Sequence, residues 1–286
     1  MAILVTGGSG YFGSLLLRRL AAHTREPLRN FDLVAADDQH PDVEFVQGDI
    51  RDAAAIERAC RGVTIVHHNV AQVPLARDRE LFESVNVQGT ENLLRAAVLA
   101  GVRKVVYTSS SAVFGAPRTN PVTEATPPAP AEAYGRAKYE GELRCATYVE
   151  QGLDVTIVRP RTILGHGRLG IFQILFEWVR TCYNVPVLGR GDNRYQFVHA
   201  DDLADACIRA GERAGPTWYH CGAERFGTMR EMLAALCAHA GTGSHVRSLP
   251  VRPAATLMRL GAAARLVPTL RWEGQGCDGF VSIQST

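Results

Sequence analysis

The sequence predicts an α/β chain: a doubly wound parallel sheet followed by a smaller C-terminal lobe. Two observations carry this. Short, nearly continuous apolar runs alternate with segments of helical period through the first half, as strands buried on both faces and their covering helices require. After about residue 160 the alternation weakens, and Gly165, Gly167, Gly170, Gly189 and Gly191 interrupt it. A division into 1–165 and 166–286 follows, with approximate bounds and room for part of the later chain to return to the sheet.

Taken in order, Ala2–Thr6 reads as the first strand and Gly10–Ala22 as the helix after it. Leu33–Ala36 and Val43–Val46 read as the next two strands, and Ala53–Cys60 as a helix. Thr64–His67 and Lys104–Ser109 are further strands, with a long helix over Leu81–Ala100 between them. The segment Ala116–Ala133 carries Pro117, Pro121, Pro127, Pro128 and Pro130, which forbid a helix or an inner strand, so it is a loop. Tyr134–Gln151 is again helical and Val155–Arg159 again a strand. Thr269–Thr286 has little periodicity and reads as a poorly ordered end.

Composition narrows the function classes. The 286 residues are 46% hydrophobic and 21% charged, enough for a large core, and the +2 formal charge is spread without basic or acidic runs. Neither nucleic acid nor an anionic membrane is called for. The seven cysteines are scattered without a Cys-x-x-Cys pair, so free thiols in a reducing compartment are expected rather than disulfides or zinc. Ala2–Thr6 runs straight into glycines, unlike a signal peptide, and no apolar stretch approaches the roughly 18 residues of a membrane span. A soluble, cytoplasmic protein is the expectation.

The turn Thr6-Gly7-Gly8-Ser9-Gly10-Tyr11-Phe12-Gly13 spaces Gly7, Gly10 and Gly13 between a strand and a helix. Glycines there permit a tight turn and let a pyrophosphate reach the helix N-terminus, where the dipole favours negative charge. The turn therefore predicts a dinucleotide site. At the end of Leu33–Ala36, Asp37 is placed to accept from the adenosine ribose hydroxyls, while Asp38 suits a solvated turn. Asp37 would repel a 2′-phosphate, and no arginine lies between it and Gly48, so NAD is favoured over NADP. Gly48-Asp49-Ile50 ends the next strand; its aspartate fits either an adenine contact or a helix cap.

Tyr134-x-x-x-Lys138 puts a tyrosine and a lysine on one helix face. A free tyrosine has a pKa of about 10, and a neighbouring cation can stabilise its phenolate as a base. The strand ending in Ser109-Ser110-Ser111 supplies a hydroxyl at the carboxyl edge of the sheet, where open sheets bind ligands.

These motifs, together with Asn86-Val87-Gln88-Gly89-Thr90, Tyr107-Thr108-Ser109-Ser110-Ser111-Ala112-Val113-Phe114-Gly115 and Arg159-Pro160, occur in the order seen in extended short-chain dehydrogenases/reductases. The chain resembles that family, which contains nucleotide-sugar epimerases and dehydratases, over roughly residues 1–210. The resemblance implies a Rossmann sheet with Tyr134 as catalytic base, Lys138 as ribose contact and phenolate stabiliser, and Ser110 as the catalytic hydroxyl. It also implies that Asp49 and Ile50 meet adenine, that Val70 and Ala71 line the nicotinamide pocket, and that Tyr11, Phe12, Arg159 and Pro160 belong to the NAD site. A homodimer through the helices Leu81–Ala100 and Tyr134–Gln151 is implied as well.

Within the family, 4,6-dehydratases typically carry Asp and Glu after the catalytic hydroxyl, where this chain has Ser111 and Ala112. Without an acid to protonate a leaving hydroxyl, the chain resembles the 4-epimerases, with a nucleotide sugar as substrate. Two departures leave the substrate open: Thr162 stands where many members have asparagine, and Tyr195 where many epimerases have arginine. Ser111, Thr162, Arg168 and Tyr195 are the expected substrate contacts. Arg161, Arg168, Arg190 and Arg194 lie close in sequence and fit either a diphosphate grip or a solvated surface. Two alternatives therefore stay open: a one-way dehydrogenase or reductase of a non-sugar alcohol, resembling hydroxysteroid dehydrogenases, and a non-catalytic NAD sensor. His67-His68 lacks the neighbouring ligands of a metal site, and His199 and Asp201-Asp202 read as structural, at a helix start.

Overall fold

The computed structural model describes residues 1–72, 79–117, 119–167, 171–251 and 253. Arg168 and Thr269–Thr286 lie outside them. The chain runs β1 (Ala2–Thr6), α1 (Tyr11–His23), β2 (Leu28–Asp32), β3 (Val43–Gln47), α2 (Ala53–Cys60) and β4 (Val63–His68). A helical turn α3 (Arg79–Leu81) leads through a π-helical segment (Phe82–Gln88) into α4 (Gly89–Ala100). Next come β5 (Lys104–Thr108), a 3-10 helix (Ser111–Phe114), α5 (Ala133–Glu150), β6 (Val155–Pro160) and β7 (Thr162–Leu164). The remainder is α6 (Ile171–Arg180), β8 (Val185–Leu188), β9 (Phe197–His199), α7 (Ala200–Glu212), β10 (Thr217–Cys221), α8 (Met229–Ala240) and β11 (Val246–Leu249).

Seven strands form one parallel sheet in the order β10-β6-β5-β4-β1-β2-β3. Strand residues alternate between its faces. Ala2 and Leu4 of β1, with Val66, Val105 and Tyr107, join a core completed by Ile56 of α2, Leu93 and Leu94 of α4 and Tyr148 of α5. Ile3, Val5, Ile65 and Val106 face the other way, onto Leu16, Leu17 and Leu20 of α1 and Leu203, Cys207 and Ile208 of α7. Helices thus cover both faces, and strand order reverses between β1 and β4. That reversal opens a crevice at the carboxyl edge.

One expectation needs correction. Leu33–Ala36 is not a strand: it is an exposed to half-buried bend, and β2 lies earlier, at Leu28–Asp32. The approximate division near residue 165 takes an interleaved form, with the expected return of later chain to the sheet. One compact unit comprises Met1–Gly115, Pro127–His166 and Phe197–Ala223, because β10 returns to pair with β6 and complete the sheet. The second unit takes Ala116–Thr126, Gly167–Gln196 and Glu224–Thr286. Its described core gathers Val179, Val185, Leu233 and Cys237 around the parallel pair β8 and β11. A full capping box between Thr228 and Glu231 starts its helix α8.

Candidate active site

The glycine turn forms a cradle of bare backbone at the crevice. Gly7 sits at φ +73°, and a Cβ on it would stand 2.9 Å from the Val70 nitrogen. A side chain on Gly13 would overlap the Gly7 carbonyl, which itself accepts from the Gly10 N–H (3.1 Å). The N-cap of α1 is Gly10, which has no side chain to cap it, and the helix's first turn carries no acid. Bare backbone at a helix N-terminus in so narrow a space suits a pyrophosphate, so these residues fit a dinucleotide. Tyr11 and Phe12, both half-buried, open α1; the Tyr11 hydroxyl lies beside Gly165, and Phe12 packs at the margin of the α1 and α7 core.

The acid at the end of β2 is Asp32, not Asp37. Asp32 Oδ2 accepts from the Ser9 N–H inside the glycine turn (3.0 Å), and Oδ1 accepts from Leu33 N–H (2.7 Å). Asp37 lies five residues on, in an exposed turn. Apolar patterning hid β2 because Asn30 is fully buried: its amide donates to Ser9 Oγ (3.0 Å) and Gln39 Oε1 (2.9 Å), which offsets its desolvation.

After β3, Asp49 forms a two-pronged pair with Arg51, which holds its carboxyl below the usual range. Ile50 is buried beneath Gly89, and Asn92 of α4 donates to the Ile50 and Arg51 carbonyls (3.1 Å each), so this segment is pinned from the helix side. Val70 and Ala71 are half-buried beyond β4, beside Gly7. Asn86, from the π-helical segment, clamps that exit at both polar groups of Gln72, accepting from its N–H (2.7 Å) and donating to its carbonyl (3.1 Å). Behind it His68 joins Thr6 Oγ1 (2.7 Å) to Thr90 Oγ1 (3.1 Å); burial and nearby Lys138 push its pKa down to about 3, so it is neutral.

Helix α5 brings the proposed catalytic groups to the ends of β5 and β6. A Cβ on Gly135 would overlap the Ala112 carbonyl, so glycine lets the first turn of α5, with Tyr134, close onto the 3-10 helix after Ser110. Tyr134 is half-buried, edge-on to Phe82 at 6.3 Å between ring centres. One turn later Lys138 is 2% exposed. Its ammonium donates to the Thr108 carbonyl (2.8 Å) and lies 5.0 Å over the Tyr107 ring. Burial lowers its pKa to about 8. Of the three serines, Ser109 is spent on donating to Glu142 (2.6 Å). Ser110 Oγ accepts from the Ala112 N–H (3.1 Å), which leaves its own O–H to donate. Ser111 is buried at the start of the 3-10 helix.

The sequence profile of the NAD-dependent epimerase/dehydratase family matches residues 3–222. The chain belongs to this family. A UDP-glucose 4-epimerase of Mycolicibacterium smegmatis is 34% identical over 244 residues, covering 79% of this chain and 76% of that protein. An uncharacterized protein of Sinorhizobium fredii is 53% identical over 266 residues, covering 93% of this chain and 67% of that one. The Thermus thermophilus UDP-glucose 4-epimerase, solved in complex with NAD, aligns at a TM-score of 0.76 and 28% identity over 99% of this chain and 97% of that one. As a member of the NAD-dependent epimerase/dehydratase family, the protein uses NAD as its cofactor.

Other expected contacts of this family member divide by geometry. The Arg159 guanidinium pairs with Glu142 through two bonds (2.8 and 2.7 Å) and stacks on Phe114. Pro160, next to it, closes β6 opposite Cys221. Thr162 is half-buried in β7, and Arg161 is buried with its N–H on the Cys221 carbonyl (2.8 Å). In the second unit Tyr195 is half-buried, Arg194 stacks on Phe226 (4.6 Å) and Arg190 is exposed. His199 caps α7 by accepting from the Asp201 N–H. No group of three or more metal-ligating side chains occurs among the described residues, and none of their helices is long and apolar enough to cross a membrane. Sequence reasoning missed Asp32 and Glu142. For Glu142 the signal was present: Tyr134, Lys138 and Glu142 recur every four residues on one helix face.

Proposed function

We propose that this protein is a nucleotide-sugar 4-epimerase acting by transient hydride transfer at a secondary alcohol. The observation that carries the reading is the Tyr134, Lys138 and Ser110 group beside a turn that lacks acids: Ser111 and Ala112 follow Ser110. Bound NAD supplies a hydride acceptor that can return what it takes. Tyr134 removes and restores the hydroxyl proton. Lys138 stabilises its phenolate and contacts the nicotinamide ribose, and Ser110 donates to the substrate oxygen with the O–H that Ala112 leaves unused. When NAD and substrate are bound, the adenosine ribose would fall to Asp32, adenine to Asp49 and Ile50, the nicotinamide to Val70, Ala71 and the backbone at Pro160, and the sugar to Ser111 and Thr162. Incubating the purified protein with a panel of UDP- and dTDP-hexoses tests this. A 4-epimer should form from at least one member, and no epimer from any of them would sink the assignment.

A second reading, a one-way dehydrogenase or reductase of a non-sugar alcohol, draws on Tyr195, which offers no charge to a diphosphate. An epimerase restores its NAD every turnover and need not release it. Protein purified without added cofactor should therefore yield NAD on denaturation; empty protein that needs added NAD favours the second reading. Exposed Val98 and Leu99 on α4 and Leu143 on α5 support a homodimer through these helices, which sedimentation of L99E against the parent would check.

A further inference from the structure

The buried carboxylate of Glu142 is unused by the mechanism above, yet it sits at the centre of it. It is 4% exposed and receives three hydrogen bonds: Ser109 Oγ at 2.6 Å, Arg159 Nε at 2.8 Å and Arg159 Nη2 at 2.7 Å. Ser109 directly precedes Ser110, and Arg159 precedes Pro160 and stacks on Phe114 of the 3-10 helix that Ser110 caps. One carboxylate thus ties the ends of β5 and β6 to the helix face that presents Tyr134 and Lys138. A buried ion pair is weak evidence of stabilisation by itself, since its desolvation offsets much of its attraction. Its position one turn from Lys138 is the more informative fact.

Lys138 is surrounded from several elements. His68 faces it from β4, Tyr107 from β5, and Tyr134, Glu142 and Cys145 share its helix, with Arg159 of β6 beyond Glu142. His68 is neutral, and burial pushes the Tyr107 and Cys145 protons to higher pH, so both are neutral too. The charges among these groups are Glu142 and Arg159. No carboxylate among the described residues pairs directly with the Lys138 ammonium, which rests on a carbonyl and a ring.

We propose that Glu142 is the positioning residue of this site: its carboxylate sets the ends of β5 and β6 against α5 and holds the counter-charge of the Lys138 ammonium one helical turn away. The proposal rests on the reading of Lys138 as the phenolate's partner, but its test does not use turnover. The chain contains two lysines, Lys104 and Lys138. Protein made with 13Cε-labelled lysine therefore gives two side-chain signals, and K138M identifies which belongs to Lys138.

In the parent that signal should titrate near the depressed value given above. In E142Q, Lys138 loses the favourable negative charge and faces an unbalanced Arg159, so the midpoint should fall by about one unit or more. Because E142Q leaves Arg159 buried and unpaired, E142Q/R159Q, which removes both charges, is measured beside it and should move in the same direction. A midpoint unmoved in either folded variant overturns the proposal, even if Tyr134 proves essential. Conversely, a shifted midpoint in a protein without epimerase activity leaves the proposal standing and sinks only the functional reading.

Discussion

The two lysines of this chain lie at opposite ends of the same strand layer and are both almost wholly buried. Lys104, at the start of β5, is fixed by a carboxylate: its ammonium lies 2.6 Å from Asp154 and donates to the Gly215 carbonyl (3.0 Å), while Asp154 also accepts from the Gly215 N–H (2.8 Å). That closed ring of bonds ties β5 to the segment before β10. Lys138, beyond the end of β5, meets neutral groups directly among the described residues and has its counter-charge held off on Arg159. A buried cation that is neutralised on the spot stabilises; one whose partner is kept at a distance retains a field that can act on a phenolate. The difference separates a structural site from the proposed chemical one at the two edges of one sheet.

Exchanging each lysine for methionine is the strongest way to break that contrast. K138M should lower turnover by about 100-fold and leave stability unchanged or raised, since a desolvated charge is removed. K104M strands Asp154 beside Gly215 and should cost about 2 kcal/mol in a denaturant melt, with turnover per folded molecule retained. If K104M were the inactive variant and K138M the unstable one, the contrast would be reversed.

The pH response sharpens it further. Lys138 is depressed from its ordinary 10.5 to about 8, so its ammonium is lost as pH rises through about 8, and turnover should decline there. Stability should respond with the opposite sign. Between about 8 and 10.5 the unfolded chain holds a proton that the folded chain has released, so this group adds stability as pH rises across that window. Rate profiles and denaturant melts at matched pH check both signs, and a rate that stays flat to pH 10 would remove Lys138 from the mechanism.

A smaller effect separates the two candidate ribose acids. D32N should weaken NAD binding about tenfold, the loss of one charge-assisted hydrogen bond, whereas D37N should leave it unchanged. Titration calorimetry with NAD on the stripped protein decides between them.

The sheet was legible where burial follows hydrophobicity. Ala2–Thr6, Ala53–Cys60 and the helix from Tyr134 were readable because their apolar positions follow the period of the element. It was illegible at β2, where Arg29 and Asn30 interrupt the run and tertiary bonds to Glu44, Ser9 and Gln39 make those polar residues tolerable. The apolar Leu33–Ala36 just beyond took its place, and the acid was displaced from Asp32 to Asp37. The pairing of Arg159 was hidden for a related reason: its partner Glu142 is seventeen residues away on another element, so nothing local reveals the bond. The glycine turn and Tyr134-x-x-x-Lys138 were readable because backbone approach and helix spacing are local properties. Contacts of the proposed substrate were not, because they depend on how later loops fold.

In the proposed reaction, hydride leaves a sugar carbon and returns to that same carbon. The direct measurement supplies a nucleotide hexose deuterated at C4, without added NAD, and reads the label in the product. The expected product is a 4-epimer that keeps its deuterium at C4. An epimer whose C4 deuterium has exchanged with solvent, or an oxidised product formed only when NAD is added, would contradict it.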